Sequence, residues 1–143
     1  MQTIRIKMKK LHADAKMPFY GSAESAGFDL YSVEEVVIQP GQRALIGTGI
    51  ALEGQEGVAW VFSDRSGLGS KGIHHFGGLI DSDYRGEFKV ILFNSTDKEF
   101  KIEKGDRLIQ VVPTLIARVE FEEALELNET GRGAGAFHST GRK

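Results

Sequence analysis

The chain has 143 residues, a formal net charge of −2 and no cysteine, which favours a single domain and excludes disulfides, thiolate catalysis and zinc–thiolate sites. Its charge lacks the global basic field of nucleic-acid-binding proteins, and no apolar run approaches the ~18 residues of a membrane span. Because the first residues also lack the apolar segment of a signal peptide, we expect a cytoplasmic protein that binds neither nucleic acid nor membrane.

The hydrophobic pattern has a period of two along most of the chain. In Thr3–Lys10, Ile4, Ile6 and Met8 alternate with polar and basic residues, as is typical of a half-buried strand. Further strands are predicted at Val36–Ile38, Ala44–Ile46, Ile50–Leu52, Val58–Phe62, Phe88–Asn94, Phe100–Ile102 and Arg107–Val112. Turns are predicted between them at Gln39–Gln42, Glu53–Gly57, Ser95–Lys98 and Glu103–Asp106. Many short strands with little helix indicate an all-β sandwich, jelly roll or barrel.

Two segments depart from this strand pattern, and both are rich in glycine, which makes up 18 of the 143 residues. Asp64–Gly78 is long and basic and does not fit a packed sandwich; it holds the one predicted helix, about one turn around Ser66–Lys71. The tail Glu129–Lys143 has one aromatic residue and almost nothing to bury, so it should be mobile on its own.

The tail nevertheless carries groups that bind anions. Arg132 offers a guanidinium, Ser139 and Thr140 offer hydroxyl donors, and the glycines expose main-chain N–H groups. Phe137 lies among them, where its ring can stack on a planar ligand. The alternative is a solvated terminus without function.

The segment Arg65–Gly72 has the same character, with Arg65 and Lys71 as cations and Ser66 and Ser70 as hydroxyl donors. Taken alone, it is equally well explained as an ordinary surface loop. Two such segments in a slightly acidic chain indicate positive charge that is local, which favours a polyphosphate ligand.

The stretch GLIDSDYRGE, Gly78–Glu87, places two aspartates and a tyrosine between two apolar runs. It can be a β-turn whose aspartates cap main-chain N–H groups. Alternatively, one aspartate acts as a general base or positions a water beside the phosphates. The spacing does not choose between Asp81 and Asp83, but Asp81 directly ends an apolar run and is the better candidate for being held by the sheet.

The four histidines show no zinc-ligand spacing, so we expect no transition-metal site. Mg²⁺ remains a candidate cofactor, because it usually arrives on phosphates and keeps its waters.

Five motifs, in order along nearly the whole chain, resemble those of the homotrimeric dUTP pyrophosphatases, the dUTPases. They are AGFDLYS (Ala26–Ser32), RSGLGSKG (Arg65–Gly72), GGLIDSDYRGE (Gly77–Glu87), GDRLIQ (Gly105–Gln110) and RGAGAFHSTG (Arg132–Gly141). The resemblance implies an all-β fold, a jelly-roll-like distorted barrel of short strands in residues 1–128. It also implies that residues 129–143 form a flexible tail that closes over the nucleotide.

By the same resemblance, the protein is a homotrimer whose three active sites lie at subunit interfaces. One subunit supplies Arg65–Gly72 and Gly105–Gln110, a second supplies the hairpin Gly77–Glu87, and the third supplies its tail. The implied reaction is hydrolysis of dUTP to dUMP and pyrophosphate, by attack of water on the α-phosphorus. This reaction limits uracil incorporation into DNA and supplies dUMP for dTMP synthesis.

The resemblance also assigns roles to residues of the nucleoside side. Asp81 is the catalytic carboxylate that orients and deprotonates the water, and it lies near the sugar 3′-hydroxyl. Tyr84 packs beneath the deoxyribose, where a 2′-hydroxyl would lose its water at a cost of roughly 1–3 kcal/mol. Main-chain groups of the hairpin between His75 and Lys89 read uracil, with Leu79 and Ile80 among the residues that contact the substrate. Cytosine would leave some of these groups unpaired.

On the phosphate side, the implied ligands of dUTP come from three segments. Arg65, Ser66, Gly67 and Gln110 contact phosphates across the interface. In the tail, Arg132 reaches the γ-phosphate, Phe137 stacks on uracil, and Ser139 and Thr140 hold the outer phosphates. His138 is also among the implied substrate-binding residues. Mg²⁺ sits on the triphosphate, with Asp29 as its partner through water.

Several residues depart from the family pattern. The tail usually has glycine on both sides of its aromatic residue, whereas Phe137 here lies between Ala136 and His138; if position 136 needs a positive φ, alanine costs ~1–2 kcal/mol there. Asp64 stands where a proline or small residue is expected, and Gly69 where alanine is common. His75 stands where some members have asparagine, so only its main-chain role carries over.

Three alternatives to the dUTPase interpretation stay open. A dCTP deaminase shares the fold but needs a glutamate ten residues after Asp81, where this chain has Ile91. A catalytically weakened relative could bind dUTP and regulate an unknown protein partner, which the altered tail motivates. A structural or carbohydrate-binding jelly roll would leave the ordered set Arg65, Asp81, Tyr84 and Arg132 unexplained.

Overall fold

The computed structural model describes residues 3–136, and this part of the chain contains twelve strands and one short helix. The strands are β1 (Lys7–Lys10), β2 (Phe19–Tyr20), β3 (Phe28–Tyr31), β4 (Val36–Ile38), β5 (Arg43–Gly47), β6 (Ile50–Glu53), β7 (Val58–Ser63), β8 (Ile73–Phe76), β9 (Leu79–Ile80), β10 (Lys89–Asn94), β11 (Phe100–Ile102) and β12 (Arg107–Leu115). The helix α1 (Ser66–Gly69) lies between β7 and β8. The all-β fold expected from the sequence is confirmed.

The strands form four antiparallel sheets that do not close into a complete barrel. The largest has the order β2-β3-β12-β7-β9, and a second has the order β5-β10-β8. Two-stranded sheets join β1 to β6 and β4 to β11. Apart from β2 and β3, strands that are neighbours in the chain, such as β8 and β9, belong to different sheets, and the connections between them cross from one sheet to the other.

The core between the sheets contains a chain of aromatic side chains. Trp60 on β7 contacts Phe28 on β3 and Phe88, the residue just before β10, with ring centroids 6.2 Å apart in both pairs. Phe88 is fully buried and also contacts Phe62 and Tyr84. Because Phe88 ends the loop that begins at Asp81, this loop is anchored directly in the core.

The period-two pattern predicted most strands correctly, including the buried alternation of Ile4, Ile6 and Met8, although β1 itself covers only Lys7–Lys10. The prediction that Asp64–Gly78 does not pack was wrong. This segment holds α1 and β8, and Ile73 within it is completely buried. Strands β2, β3 and β9 were also missed. With β8, four strands were missed, and each of them is two to four residues long.

The packed strands end at Leu115, and residues 115–134 are exposed throughout. Six apolar side chains in this stretch face solvent: Leu115, Ile116, Val119, Phe121, Leu125 and Leu127. The division into a core of residues 1–128 and a tail of residues 129–143 stays a prediction. Within residues 3–136, no helix is long and apolar enough to cross a membrane.

Candidate active site

The loop between β9 and β10 is held by its own hydrogen bonds. The main-chain N–H of Tyr84 donates to the carbonyl of Asp81 at 3.3 Å, which closes a β-turn. The guanidinium of Arg85 donates to the carbonyl of Ser82 at 2.6 Å. No residue in the described range 3–136 donates a hydrogen bond to the carboxylate of Asp81 or Asp83. Both carboxylates are therefore free to bind a ligand or a water, and neither caps the turn.

Tyr84 lies flat over the end of this loop. Its hydroxyl donates to the carbonyl of Glu87 at 3.1 Å, and its ring lies 6.2 Å from that of Phe88. A Cβ atom at Gly86 would lie 2.9 Å from Cε2 of the Tyr84 ring, so the ring needs a glycine beneath it. The outer part of the ring stays exposed. Tyr84 thus offers one apolar face from a fixed position.

Between β9 and β10 lies an open cleft of about 390 Å³. Its lining contains five residues that the sequence predicted as site residues and two that it missed: Leu79, Ile80, Asp81, Tyr84 and Lys89, with Leu45 and Glu87. Glu87 forms an ion pair with Lys89 at 3.6 Å and accepts a hydrogen bond from the N–H of Gly49 at 2.8 Å. Glu87 therefore ties the cleft to the turn between β5 and β6, a long-range contact that has no signal in the local sequence.

A second cleft, of about 560 Å³, lies on the other side of α1. Arg65, Lys71, Lys101 and Arg107 supply positive charge to its lining. The predicted phosphate ligands Arg65 and Gly67 both line it, and Ser66 begins α1 beside them. No described residue lines both clefts. Within one chain, these predicted phosphate-binding and nucleoside-binding groups therefore line different clefts.

Asp29 on β3 organises the arginines of this second cleft. Its side chain is 6% exposed and lies 3.2 Å from both Nε of Arg65 and a terminal guanidinium nitrogen of Arg107. Arg107 donates a hydrogen bond to Oδ2. Nε of Arg65 is close to Oδ1 but is not aligned for a hydrogen bond, so Oδ1 is buried without a hydrogen-bond partner among residues 3–136. The carboxylate stabilises both cations.

Asp64, His74 and His75 form a hydrogen-bonded cluster at the end of β7, which was not predicted from the sequence. Oδ1 of Asp64 accepts hydrogen bonds from the main-chain N–H of His75 at 2.9 Å and from its Nδ1 at 2.6 Å. Nδ1 of His74 lies 3.3 Å from Oδ2. Burial opposes ionisation of Asp64, but the hydrogen bonds from His75 and His74 outweigh it and hold the pKa of this carboxyl below its usual value.

The remaining predicted residues lie in different environments. Gln110 on β12 pairs with Asp29 on one side and Ser63 on the other, next to the second cleft. Arg132 is exposed, and its Nε donates to the carbonyl of Gly135 at 2.8 Å in a local turn. Four predicted ligands lie outside the described residues: Phe137, His138, Ser139 and Thr140.

Residues 3–136 fit a magnesium ion only if it arrives already bound to the phosphates of the nucleotide. No group of three histidine, cysteine or acidic side chains in residues 3–136 is arranged to hold a metal. Asp29 has the acceptor oxygens that a magnesium-bound water needs, but its Oδ1 is buried and lies 3.2 Å from Nε of Arg65. The two neighbouring arginines disfavour a bare cation there and favour one that is already bound to phosphates.

Comparison with known proteins agrees with this geometry. The family model described as dUTPase matches residues 13–141. The deoxyuridine 5′-triphosphate nucleotidohydrolase of Nautilia profundicola is 46% identical over 142 residues, which covers 97% of this chain and 100% of the relative. That of Helicobacter pylori is 44% identical over 141 residues, covering 96% of this chain and 97% of the relative.

Solved structures show the same similarity. The dUTPase of Staphylococcus bacteriophage 80alpha, solved with dUpNHpp, superposes with a TM-score of 0.91 at 28% identity and covers 97% of this chain and 99% of that chain. A mutant dUTPase from phage phi11 of S. aureus, whose structure concerns the coordination of a structural Mg(II) ion, has a TM-score of 0.83 at 25% identity, with 88% and 100% covered. The order of the motifs, the fold and the relatives lead to one conclusion: this chain belongs to the dUTPase family.

Proposed function

We propose that this protein hydrolyses dUTP to dUMP and pyrophosphate, with Asp81 as the catalytic carboxylate. The observation that carries the proposal is the cleft between β9 and β10, where the free carboxylate of Asp81 and the ring of Tyr84 line the same wall. A carboxylate without a hydrogen-bond donor among residues 3–136 is available to bind water. Family membership supplies the substrate and the reaction.

In the proposed mechanism, Asp81 accepts a hydrogen bond from a water molecule and takes its proton as the water oxygen bonds to the α-phosphorus. The bond from that phosphorus to the oxygen bridging to the β-phosphorus breaks, and pyrophosphate leaves. Tyr84 packs against the deoxyribose and excludes a 2′-hydroxyl, because its apolar ring offers no hydrogen-bond partner. Main-chain groups between His75 and Lys89 bind uracil.

Phosphate binding is assigned to the cleft beside α1. Arg65 carries the charge, its orientation is set by Asp29, and Ser66 and Gly67 offer donors at the start of the helix. Gln110 on the adjacent strand completes the group. When bound, Mg²⁺ would supply charge neutralisation along the triphosphate, and Asp29 would be the residue that holds one of its waters.

We further propose a homotrimer that shares its active sites between subunits. Two observations support it. The two clefts of one chain have no lining residue in common, and a second copy would bring the two kinds of group to one nucleotide. The six large apolar side chains exposed between Leu115 and Leu127 belong to one segment, and an isolated chain leaves all of them in water. The tail, with Arg132 and residues 137–140, would then close over the site of another subunit.

The direct test is pyrophosphate release by the purified protein with Mg²⁺ and four nucleotides. Turnover of dUTP with little release from UTP, dCTP or dTTP is the expected result. Conversion of dCTP to dUTP would contradict the proposal and favour a deaminase, although Ile91 stands where that chemistry needs a glutamate. Binding of dUTP without product would favour the regulatory alternative.

A further inference from the structure

We infer that Asp64 is a positioning residue for the base-reading hairpin: by clamping the ring and main chain of His75, it sets the affinity of the site for the uracil base. This inference rests on the proposed function. It starts from a residue that the family motifs do not explain and that the sequence analysis found only as an unusual neighbour of Arg65.

The clamp joins two sheets at the point where the hairpin begins. Strand β8 is the outer strand of the sheet β5-β10-β8, so one of its edges has no partner strand. On that edge the N–H of His75 is bound by Asp64, which directly follows β7 of the five-stranded sheet. One oxygen of Asp64 also binds Nδ1 of the same residue. A single carboxylate therefore binds both the main-chain N–H and Nδ1 of His75 and ties the edge of one sheet to the end of the other.

The ring of His75, held by Asp64, supports the turn that connects β8 to β9. A Cβ atom placed on Gly78 would lie 3.1 Å from Cδ2 of His75, so the ring packs closely against this turn. Gly77 and Gly78 both have positive φ, 69° and 98°, which gives the turn its backbone path. The carbonyl of Gly78 accepts the N–H of Phe62 at 2.7 Å, on the strand that leads into Asp64. The path from Asp64 to the first base-reading residues thus consists of direct contacts.

Such a role predicts an effect on binding that is separate from the chemical step. The main chain after Gly78 leads into the cleft, whereas Asp81 is fixed by the loop on the far side of β9. Loosening the turn should weaken ground-state and transition-state binding of the base equally. That pattern raises KM and leaves kcat unchanged.

The test compares Asp64→Ala, Asp64→Asn and His74→Ala with the unmodified protein. Asp64→Ala should raise KM for dUTP, and Kd for dUpNHpp measured by calorimetry, by about tenfold, while kcat changes less than about twofold. Asp64→Asn retains an oxygen in the place of Oδ1, which can accept both bonds from His75 but without the negative charge, so it should recover part of the affinity, with a rise of about threefold. His74→Ala removes the more exposed partner of the same carboxylate and should leave both constants unchanged.

The outcomes separate this inference from the proposed function. Unmodified protein that neither binds dUpNHpp nor turns over dUTP overturns the function itself. Active protein in which Asp64→Ala leaves KM unchanged, or lowers kcat alone, overturns only the role of Asp64. An equal loss of affinity in His74→Ala would also overturn it, because a general loosening of the cluster would then explain the result. If Asp64→Ala does not fold, Asp64→Asn carries the same comparison.

Discussion

The hydroxyl of Tyr84 donates a hydrogen bond to the main-chain carbonyl of Glu87, three residues further along the chain. This hydrogen bond fixes the position of the Tyr84 ring in the cleft between β9 and β10. Since Gly86 lies directly beneath the ring, the discrimination between sugars depends on a residue that has no side chain.

Gly86→Ala should therefore displace Tyr84 and weaken the selection of deoxyribose. We expect kcat/KM for dUTP to fall about tenfold and the preference for dUTP over UTP to narrow by a similar factor, because the ring no longer packs against the sugar. Gly21→Ala is the control, since a Cβ atom there would meet only Oγ of Ser25, at 3.7 Å. If the ratio of kcat/KM for dUTP to kcat/KM for UTP is unchanged in Gly86→Ala, the ring does not exclude the 2′-hydroxyl.

The two aspartates of the same turn offer a matched pair for locating the general base. Asp81→Asn should reduce kcat by about 10²–10⁴-fold, the usual contribution of a general base, while Kd for dUpNHpp stays within about threefold. Asp83→Asn changes the same chemical group in the same exposed loop and should retain most of the activity. The reverse result, with Asp83 essential and Asp81 dispensable, would refute the assignment.

Asp29 should contribute to both stability and phosphate binding. In Asp29→Asn, two arginines lose their buried counter-charge, and we expect the free energy of unfolding to fall by about 2 kcal/mol; this is below the value for a fully buried pair because Arg107 is half exposed. KM for dUTP should rise as well, because Arg65 loses its support. Urea unfolding and steady-state kinetics measure the two effects.

The control for Asp29 is the exposed ion pair of Lys7 with Glu53, at 3.0 Å. Glu53→Gln should change the free energy of unfolding by less than about 1 kcal/mol, since exposed pairs are screened by solvent. If Asp29→Asn and Glu53→Gln lower the free energy of unfolding equally, burial of Asp29 adds nothing to stability.

Removing the tail should separate activity from folding. A chain that ends at Gly131 loses Arg132 and everything after it, yet the residues around this point are exposed and pack against no strand. We therefore expect an unchanged Tm and an unchanged elution volume in size-exclusion chromatography, with kcat/KM for dUTP at least tenfold lower because bound phosphates lose charge-assisted hydrogen bonds. Full activity of the truncated protein would exclude a role for the tail as a lid.

The hydrogen bonds of Asp64 predict a dependence of stability on pH. Because they hold the folded-state pKa of this carboxyl below its unfolded value, they stabilise the protein above that unfolded value, about 3.9, and this contribution is lost as the pH falls through the folded-state pKa. The difference in Tm between the unmodified protein and Asp64→Asn should be constant near neutral pH and shrink below about pH 4. A difference that stays constant into acid would contradict this assignment.

Local patterns predicted much of the fold and part of the site. The alternation at Ile4, Ile6 and Met8 marks a buried face because successive side chains of an extended chain point in opposite directions. Asp81 was favoured because it ends an apolar run, and it does follow β9 directly. In contrast, β8 was missed: its glycine-rich, basic surroundings have the composition of a loop, and it becomes a strand only by pairing with β10.

The sequence by itself determined the all-β class, the turns and the ordered motifs that mark a dUTPase, since each depends on residues that are close together in the chain. Tertiary structure alone decided that Asp29 lies between Arg65 and Arg107, that Glu87 lines the cleft, and that Asp64 binds His75. These partners are joined by strands that cross between sheets, and a period of two says which face a side chain occupies but not which distant strand will lie beside it.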